Sequence, residues 1–384
     1  MSASDGASTM AEQTAPEVRV PPVRVVFDES DRAVIAREID EVLASGMVAA
    51  GPKVASFEEF WADYTGCDHA IACSSGGAAL EILMKALDVR GKDVLIPTNT
   101  FIATVNAVIF AGGNPVLLDL DPSTMCVNLA EIERRATENT AGVIVVHIGG
   151  IMSPEMESIS AWCRSRGVWL VEDAAHAHGS EVGGKRAGSF GIAGAYSFFA
   201  TKVMTSCEGG MIVCEDEGLA ELCRGLRDYG KRSQWESVHG HLSSNYRLSE
   251  ISAVIGLSQS RRLDEFIAHR ADAAAEYTRQ LEGRVELVLP VDRSSWYKYI
   301  AVLPDGHSQA SVKKKMKARG VSLSGGVYEM PVHLQPVFTD VDPAESFPLA
   351  EDYCVRHVCL PLFFGITDVQ VQHVVSTFLD VLNP

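Results

Sequence analysis

From about residue 68 to 216 the sequence alternates short apolar runs with helix-like stretches of roughly ten to fifteen residues, the rhythm of βαβ units whose strands share one mainly parallel sheet. Strands are expected over 70–73, 94–97, 115–120, 142–148, 168–172, 195–198 and 210–214. Several are near-continuous apolar runs, as strands covered on both faces should be. Helices are expected between them over 78–87, 103–111, 154–166 and 219–226, with Pro154 after Ser153 as a first-turn proline. This is an α/β pattern of seven strands with helices on both faces. A long helical pattern over 249–281, with Ala253, Leu257 and Leu263 on one face, then leads out of the large unit. After Pro290 come a strand at 296–302, a helix at 309–318, a turn at Gly325 and Gly326, and a last helix at 368–382, which make a smaller α+β unit. The expected division is a disordered tail over 1–20, a large domain over 21–260 and a small C-terminal domain over 261–384.

The chain's 384 residues exceed what one compact core usually holds, and 47% hydrophobic against 22% charged residues suits a globular interior with a soluble surface. With 33 basic and 50 acidic side chains the net charge is −17, a field that repels nucleic acid and anionic membrane. Neither is expected as a partner, and an anionic ligand must be met by a local basic pocket. The nine cysteines are scattered without a C-x-x-C pair, so reduced thiols in a cytoplasmic protein are expected and no metal site. No apolar stretch reaches the ~18 residues of a membrane span. Residues 1–20 lack the basic start and apolar centre of a secretory signal.

Two glycine-rich segments are look-alikes. Gly179 to Lys185 nearly spells a phosphate-binding loop, but Arg186 stands where a magnesium-binding hydroxyl belongs and no helix pattern follows. Gly188, Gly191 and Gly194 precede a strand instead of following one, so they read as a turn. There is no G-x-S-x-G elbow, and His176 and His178 lack the spacing of a zinc helix. What remains is Asp173 near the end of one apolar strand and Lys202 just past another. Ligand sites of α/β sheets form at such carboxyl ends. Buried there, the pair must meet each other as a salt bridge or meet a ligand.

The surroundings favour a ligand. Cys73-Ser-Ser-Gly76-Gly77-Ala78 runs from strand through a glycine turn into a helix, whose free backbone N–H groups suit a phosphate, and Phe101 follows Pro97-Thr-Asn-Thr. Together these parts are what pyridoxal phosphate (PLP) requires: a lysine to form an imine with its aldehyde, a carboxylate to keep the ring nitrogen protonated, and an aromatic face to stack on the ring.

The chain resembles the DegT/DnrJ/EryC1/StrS aminotransferases, of PLP fold type I, over about residues 48 to 379. The resemblance rests on Ala50-Gly-Pro-Lys-Val54, SSGGAAL at 74–80, PTNTFIATVNAV at 97–108, GGNPVLLDLDP at 112–122, VEDAAHAHGS at 171–180, YSFFATK at 196–202, EGG at 208–210, NYRLSEISAVIGLSQ at 245–259, PVHLQPVF at 331–338 and LPL at 360–362. It implies that Lys202 is the Schiff-base lysine and Asp173 the partner of the pyridine nitrogen. It also implies that His176 lies beside the phenolic oxygen of PLP and that Phe101 stacks on the ring. Phosphate binding would fall to Gly76, Gly77 and Ser197, with Asn245 reaching in from the second subunit of a homodimer. Taken alone, without its neighbours, His176 reads as a satisfied polar residue at a strand end.

Departures from the family pattern border the substrate side. Gly77 stands where Thr is usual, Ala49-Ala50 where Thr-Thr is common, Tyr297 where His is frequent after the tryptophan, and Cys207 where Gly precedes Glu208. Lys231, Arg232, Arg247 and Lys298 are candidates to meet a nucleotide diphosphate, each also readable as a solvated charge; Tyr328 and His333 complete the expected substrate contacts. The expected activity is transfer of an amino group from L-glutamate to a nucleotide-linked keto-deoxyhexose, dTDP-linked and at C4, with C3 as the second choice of position, cycling between PLP and pyridoxamine phosphate. The alternatives are a ketocyclitol of the scyllo-inosose type as acceptor, and a PLP-binding regulatory protein without catalysis. A PLP-dependent dehydratase is disfavoured, since relatives that dehydrate carry histidine where this chain has Lys202.

Overall fold

The computed structural model describes residues 18–232, 237–324 and 326–383. The chain enters through α1 (Glu29–Ser45) and α2 (Pro52–Thr65). It then builds β1 (His69–Cys73), α3 (Gly76–Ala86), β2 (Asp93–Pro97), α4 (Ile102–Phe110), β3 (Asn114–Leu118), α5 (Leu129–Arg135), β4 (Thr140–Val146), α6 (Met156–Arg166) and β5 (Trp169–Asp173). A hairpin of β6 (Glu181–Val182) and β7 (Lys185–Arg186) leads to β8 (Ala193–Ser197), β9 (Gly210–Cys214) and α7 (Glu217–Arg227). The seven-stranded sheet has the order β1-β9-β8-β5-β4-β2-β3, and β9 alone runs antiparallel to its neighbours. All other strands therefore end on one edge.

Alternation along the strands fills both faces. On β9, Ile212 and Cys214 pack with Leu80, Leu83 and Met84 of α3, while Met211 and Val213 pack with Phe57 and Trp61 of α2. Local chemistry sets the helix ends: Asp28 and Asp31 form a capping box at the start of α1, and Gly46 ends it in the left-handed conformation. The start of α2 is capped from afar, because the buried Glu250 carboxylate accepts the N–H groups of Gly51 at 2.9 Å, Lys53 at 2.8 Å and Val54 at 3.0 Å.

The remaining chain forms α8 (Glu250–Ser260), α9 (Leu263–Leu281), β10 (Glu286–Val288), β11 (Tyr299–Val302), α10 (Gln309–Ala318), α11 (Pro348–Arg356), β12 (His357–Leu360) and α12 (Asp368–Leu382). The antiparallel sheet β10-β11-β12 packs with α9 and α12 around Tyr277, Tyr299, Val358 and Phe378.

Several expectations need correction. Pro154 precedes α6, which starts at Met156 after Glu155. The 249–281 pattern breaks at Arg261 and Arg262, where Arg262 turns back to pair with Asp28, Asp31 and Glu265. The strand expected from 296 begins at Tyr299, because Trp296 sits at φ 50°. The tail was expected to run through residue 20, yet Val20 is buried and its strand-like segment bonds to Gly320 and Ser322 at 2.9 Å each. Gly325 and residues 1–17 lie outside the described residues. The phosphate-loop look-alike is the two-residue turn of the β6–β7 hairpin, with Gly183 and Gly184 both at positive φ. Among the described residues no helix is long and apolar enough to cross a membrane.

Candidate active site

The carboxyl edge of the large sheet opens into a cavity of about 630 Å³. Each wall is set by a strand end. At β1, the Ser75 side chain caps α3 by accepting the Ala78 N–H at 3.1 Å, leaving the Gly76 and Gly77 N–H groups in a first helical turn without intrahelical acceptors. Gly76 is required by close approach: a Cβ there would lie 2.7 Å from Cβ of Ser197 at the end of β8. Gly77 has no such demand, since its added Cβ would meet Ala103 at an ordinary 3.5 Å. A Cβ is accommodated there without a shift.

Asp173 closes β5, 6% exposed, with Oδ2 accepting from Thr104 Oγ1 at 2.9 Å and Oδ1 from the Ala175 N–H at 3.2 Å. Burial pushes its pKa above the usual carboxylate range despite those bonds. Lys202, in the connection between β8 and β9, lies with Nζ 4.9 Å from the Tyr297 ring centre. Burial lowers its pKa, and Tyr297 and Asp173 pull it partly back. Both groups are thus biased toward neutrality, as nucleophilic catalysis by an amine needs.

His176 is buried; its Nδ1 accepts the Gly149 N–H at 3.3 Å, which places the ring proton on Nε2, 3.4 Å from Tyr328 Oη. Burial and nearby Lys202 and Lys298 hold its pKa well below the ordinary value, so the ring is neutral. It stacks on Tyr297 with centroids 4.4 Å apart. Phe101, 57% exposed at the start of α4, stands 6.2 Å from Tyr328.

The cavity thus gathers Gly76, Gly77, Phe101, Asp173, His176, Ser197, Lys202, Lys298 and Tyr328 of the expected residues. Others lie apart. Lys231 and Arg247 line a separate cavity of about 470 Å³ together with Arg224, Arg227 and Arg232, and both pair with Asp228. Asn245 is exposed nearby, its Oδ1 accepting the Arg247 N–H at 3.1 Å. His333 is outside the cavity because its ring is held by Thr98 Oγ1 at 2.7 Å and Glu351 at 3.3 Å. Among the described residues no group of His, Cys, Asp and Glu is arranged to hold a metal ion.

Thr104 escaped the sequence reading, although it lies one helical turn after Phe101 on the same face. Its hydroxyl donates to Asp173 and so accepts from Thr100 Oγ1 at 2.9 Å. Thr104→Val keeps the side chain's shape and removes the donor. We expect it to weaken PLP retention by roughly 10-fold to 100-fold, on the ~1–3 kcal/mol cost of an unmade buried bond, as read by equilibrium dialysis. Unchanged retention would show that Thr104 does not orient the carboxylate.

These residues fit PLP. The helix N-terminus and Ser197 suit its phosphate, the buried Asp173 carboxyl suits a protonated ring nitrogen, and Lys202 is biased toward the free amine. Residues 29–379 match the profile of the DegT/DnrJ/EryC1/StrS aminotransferase family. The chain is 35% identical to a pleiotropic regulatory protein of Geobacillus stearothermophilus, over 89% of this chain and 92% of the relative. It is 33% identical to a GDP-perosamine synthase of Caulobacter vibrioides, over 93% and 96%. Among solved structures, DesV of S. venezuelae superposes with a TM-score of 0.88 at 28% identity, covering 95% of this chain and 99% of that one. The chain belongs to the DegT/DnrJ/EryC1/StrS aminotransferase family and is a PLP-dependent transaminase of fold type I.

Proposed function

We propose that this transaminase moves the amino group of L-glutamate to a nucleotide-linked keto-deoxyhexose, dTDP-linked and at C4. The observation that carries the reading is that Lys202, Asp173 and the Gly76–Gly77 helix start share one cavity, large enough to admit a sugar beside the cofactor, with Lys298 at its wall. Bound PLP supplies an electrophilic carbonyl and a protonated ring that draws electrons from the adjoining carbon. Gly76, Gly77 and Ser197 hold its phosphate, Asp173 holds the proton on the ring nitrogen, and Phe101 covers one ring face. The Lys202 amine takes a proton from the donor's Cα and later returns one to the acceptor carbon, as general base and then acid. The neutral His176 Nε2–H donates a hydrogen bond at the cavity wall. Lys298 meets the anionic part of the acceptor.

A homodimer completes the reading. Asn245 with Lys231 and Arg247 lies on a surface away from this chain's own Lys202, where a second copy brings it to the partner's cavity.

The test combines the PLP-loaded protein with nitrogen-labelled L-glutamate and, separately, dTDP- and GDP-linked 4-keto-6-deoxyhexoses and scyllo-inosose. Label in the dTDP-sugar product, placed on C4 by NMR, supports the proposal. Label in the GDP-sugar alone changes the nucleotide, as the name of the Caulobacter relative suggests. Label in the cyclitol alone replaces the acceptor class. No label anywhere, with PLP retained, favours a regulatory role such as the name of the Geobacillus relative carries.

A further inference from the structure

One wall of the cavity is held from behind. Gly326, Val327 and Tyr328 line it, with Tyr328 Oη 3.4 Å from His176 Nε2 and the Tyr328 ring 6.2 Å from Phe101. The backbone of this wall is anchored by His357, which stands where α11 meets β12 and does not itself line the cavity. His357 is fully buried, and its Nε2 accepts the Val327 N–H at 2.7 Å. Its Nδ1 faces the Tyr353 carbonyl at 2.5 Å, so the ring proton sits on Nδ1 and Nε2 is free to accept. Burial holds the ring's pKa down to about 4, in keeping with that form. The backbone fixes where the ring stands: the His357 and Cys354 carbonyls accept from Gln309 Nε2 of α10 at 2.5 Å and 2.8 Å, and His357 pairs with Val302 in the small sheet. The contact is close as well as polar. A Cβ added at Gly326 would lie 2.6 Å from His357 Nε2 and 2.7 Å from Cε1, so the wall comes this near the ring only as glycine.

We infer that His357 is a positioning residue for acceptor recognition: through the Val327 N–H it fixes the Gly326–Val327–Tyr328 wall, and with it the Tyr328 hydroxyl beside His176, against which the ketone acceptor is seated. A side chain of the small domain thereby sets the shape of a cavity whose Asp173 and Lys202 come from the edge of the large sheet. L-Glutamate, the smaller substrate, reacts beside Lys202. The bulkier acceptor fills the cavity out to the wall and depends on where that wall stands. The inference rests on the transfer proposed above, and it gives His357 a part in seating the acceptor and none in the proton transfer at Lys202.

Two substitutions separate the two ring nitrogens. His357→Gln places an amide oxygen near the site of Nε2 and can still accept from Val327, whereas His357→Asn reaches only toward Tyr353 and leaves the Val327 N–H without an acceptor. In the full-length chain, hydrogen–deuterium exchange of the peptide over 326–330 should quicken by roughly 10-fold in His357→Asn and stay near the wild type in His357→Gln. With PLP loaded, KM for whichever candidate ketone is aminated should rise about 10-fold in His357→Asn, while the single-turnover rate with L-glutamate changes less than about twofold. His357→Gln should restore most of that KM. Gly326→Ala, which drives a methyl group toward the ring from the loop side and leaves the buried position untouched, should repeat the Asn pattern even if His357→Asn fails to fold. Exchange needs no substrate, so if none of the ketones is aminated the exchange result alone decides whether His357 holds the wall. Exchange unmoved by His357→Asn and Gly326→Ala, or equal losses in the Asn and Gln variants, overturns the inference. So does a glutamate rate that falls as far as the acceptor KM rises.

Discussion

Lys202→Ala is expected to lower transamination by about 10⁴-fold or more, because it removes both the covalent anchor of PLP and the amine that carries the proton between donor and acceptor carbons. The same substitution should leave the fold intact. Burial already disfavours the Lys202 charge, and Lys202 belongs to neither apolar core of the large sheet among the described residues. The visible absorbance of lysine-bound PLP should vanish while thermal unfolding stays near the wild type. A variant that retained full turnover would place the reactive amine elsewhere. Lys298 would be the first alternative, since it lines the same cavity.

Asp173→Asn gives the second large effect, and its sign separates catalysis from stability. In the cofactor-free chain burial raises the folded pKa of Asp173 above its unfolded value. The folded state therefore holds this proton more tightly. Stability on this account is highest below the ordinary carboxylate range and falls as pH rises through the raised folded value. Above the ordinary carboxylate range the raised folded pKa opposes folding, so cofactor-free Asp173→Asn should unfold no more easily than the wild type. Loaded with PLP, the order reverses: only the carboxylate meets the protonated ring nitrogen. Turnover should drop roughly 10²–10³-fold, the scale of losing one preorganised electrostatic partner, and the thermal stabilisation by PLP should shrink. Equal stabilisation by PLP in both proteins would contradict the assigned partner.

The strands were the most legible part of this chain. Apolar runs such as Val143 to Val146 and Met211 to Val213 are buried on both faces, so their ends could be read to within a few residues. Asp173 and Lys202 stood out because a polar side chain at the end of such a run has few structural uses. The entry helices were passed over for different reasons. α1 buries little beyond Asp31 and Val42 and so shows no apolar stripe, whereas α2 carries a readable one in Val54, Phe57 and Trp61. The short strands β10 and β12 exist through pairing with β11, a non-local contact without a local signal. Thr104 and Gly149 matter through bonds to residues far along the chain, and Tyr297 was visible only as a departure from the family pattern. Lys231, Arg247 and Asn245 share a surface that sequence spacing alone could not assign to the cavity or away from it. His333 looked suited to the substrate in sequence, yet its ring is spent on Thr98 and Glu351.

The most direct test of the account is one turnover of the PLP-loaded wild type with L-glutamate and no acceptor, followed by absorbance and by the amount of 2-oxoglutarate released. The account predicts that the visible band of lysine-bound PLP is lost as one equivalent of 2-oxoglutarate appears per Lys202, and that neither change occurs in Lys202→Ala. A band that persists in the wild type with no 2-oxoglutarate released would contradict the glutamate-to-ketone transfer assigned to this cavity.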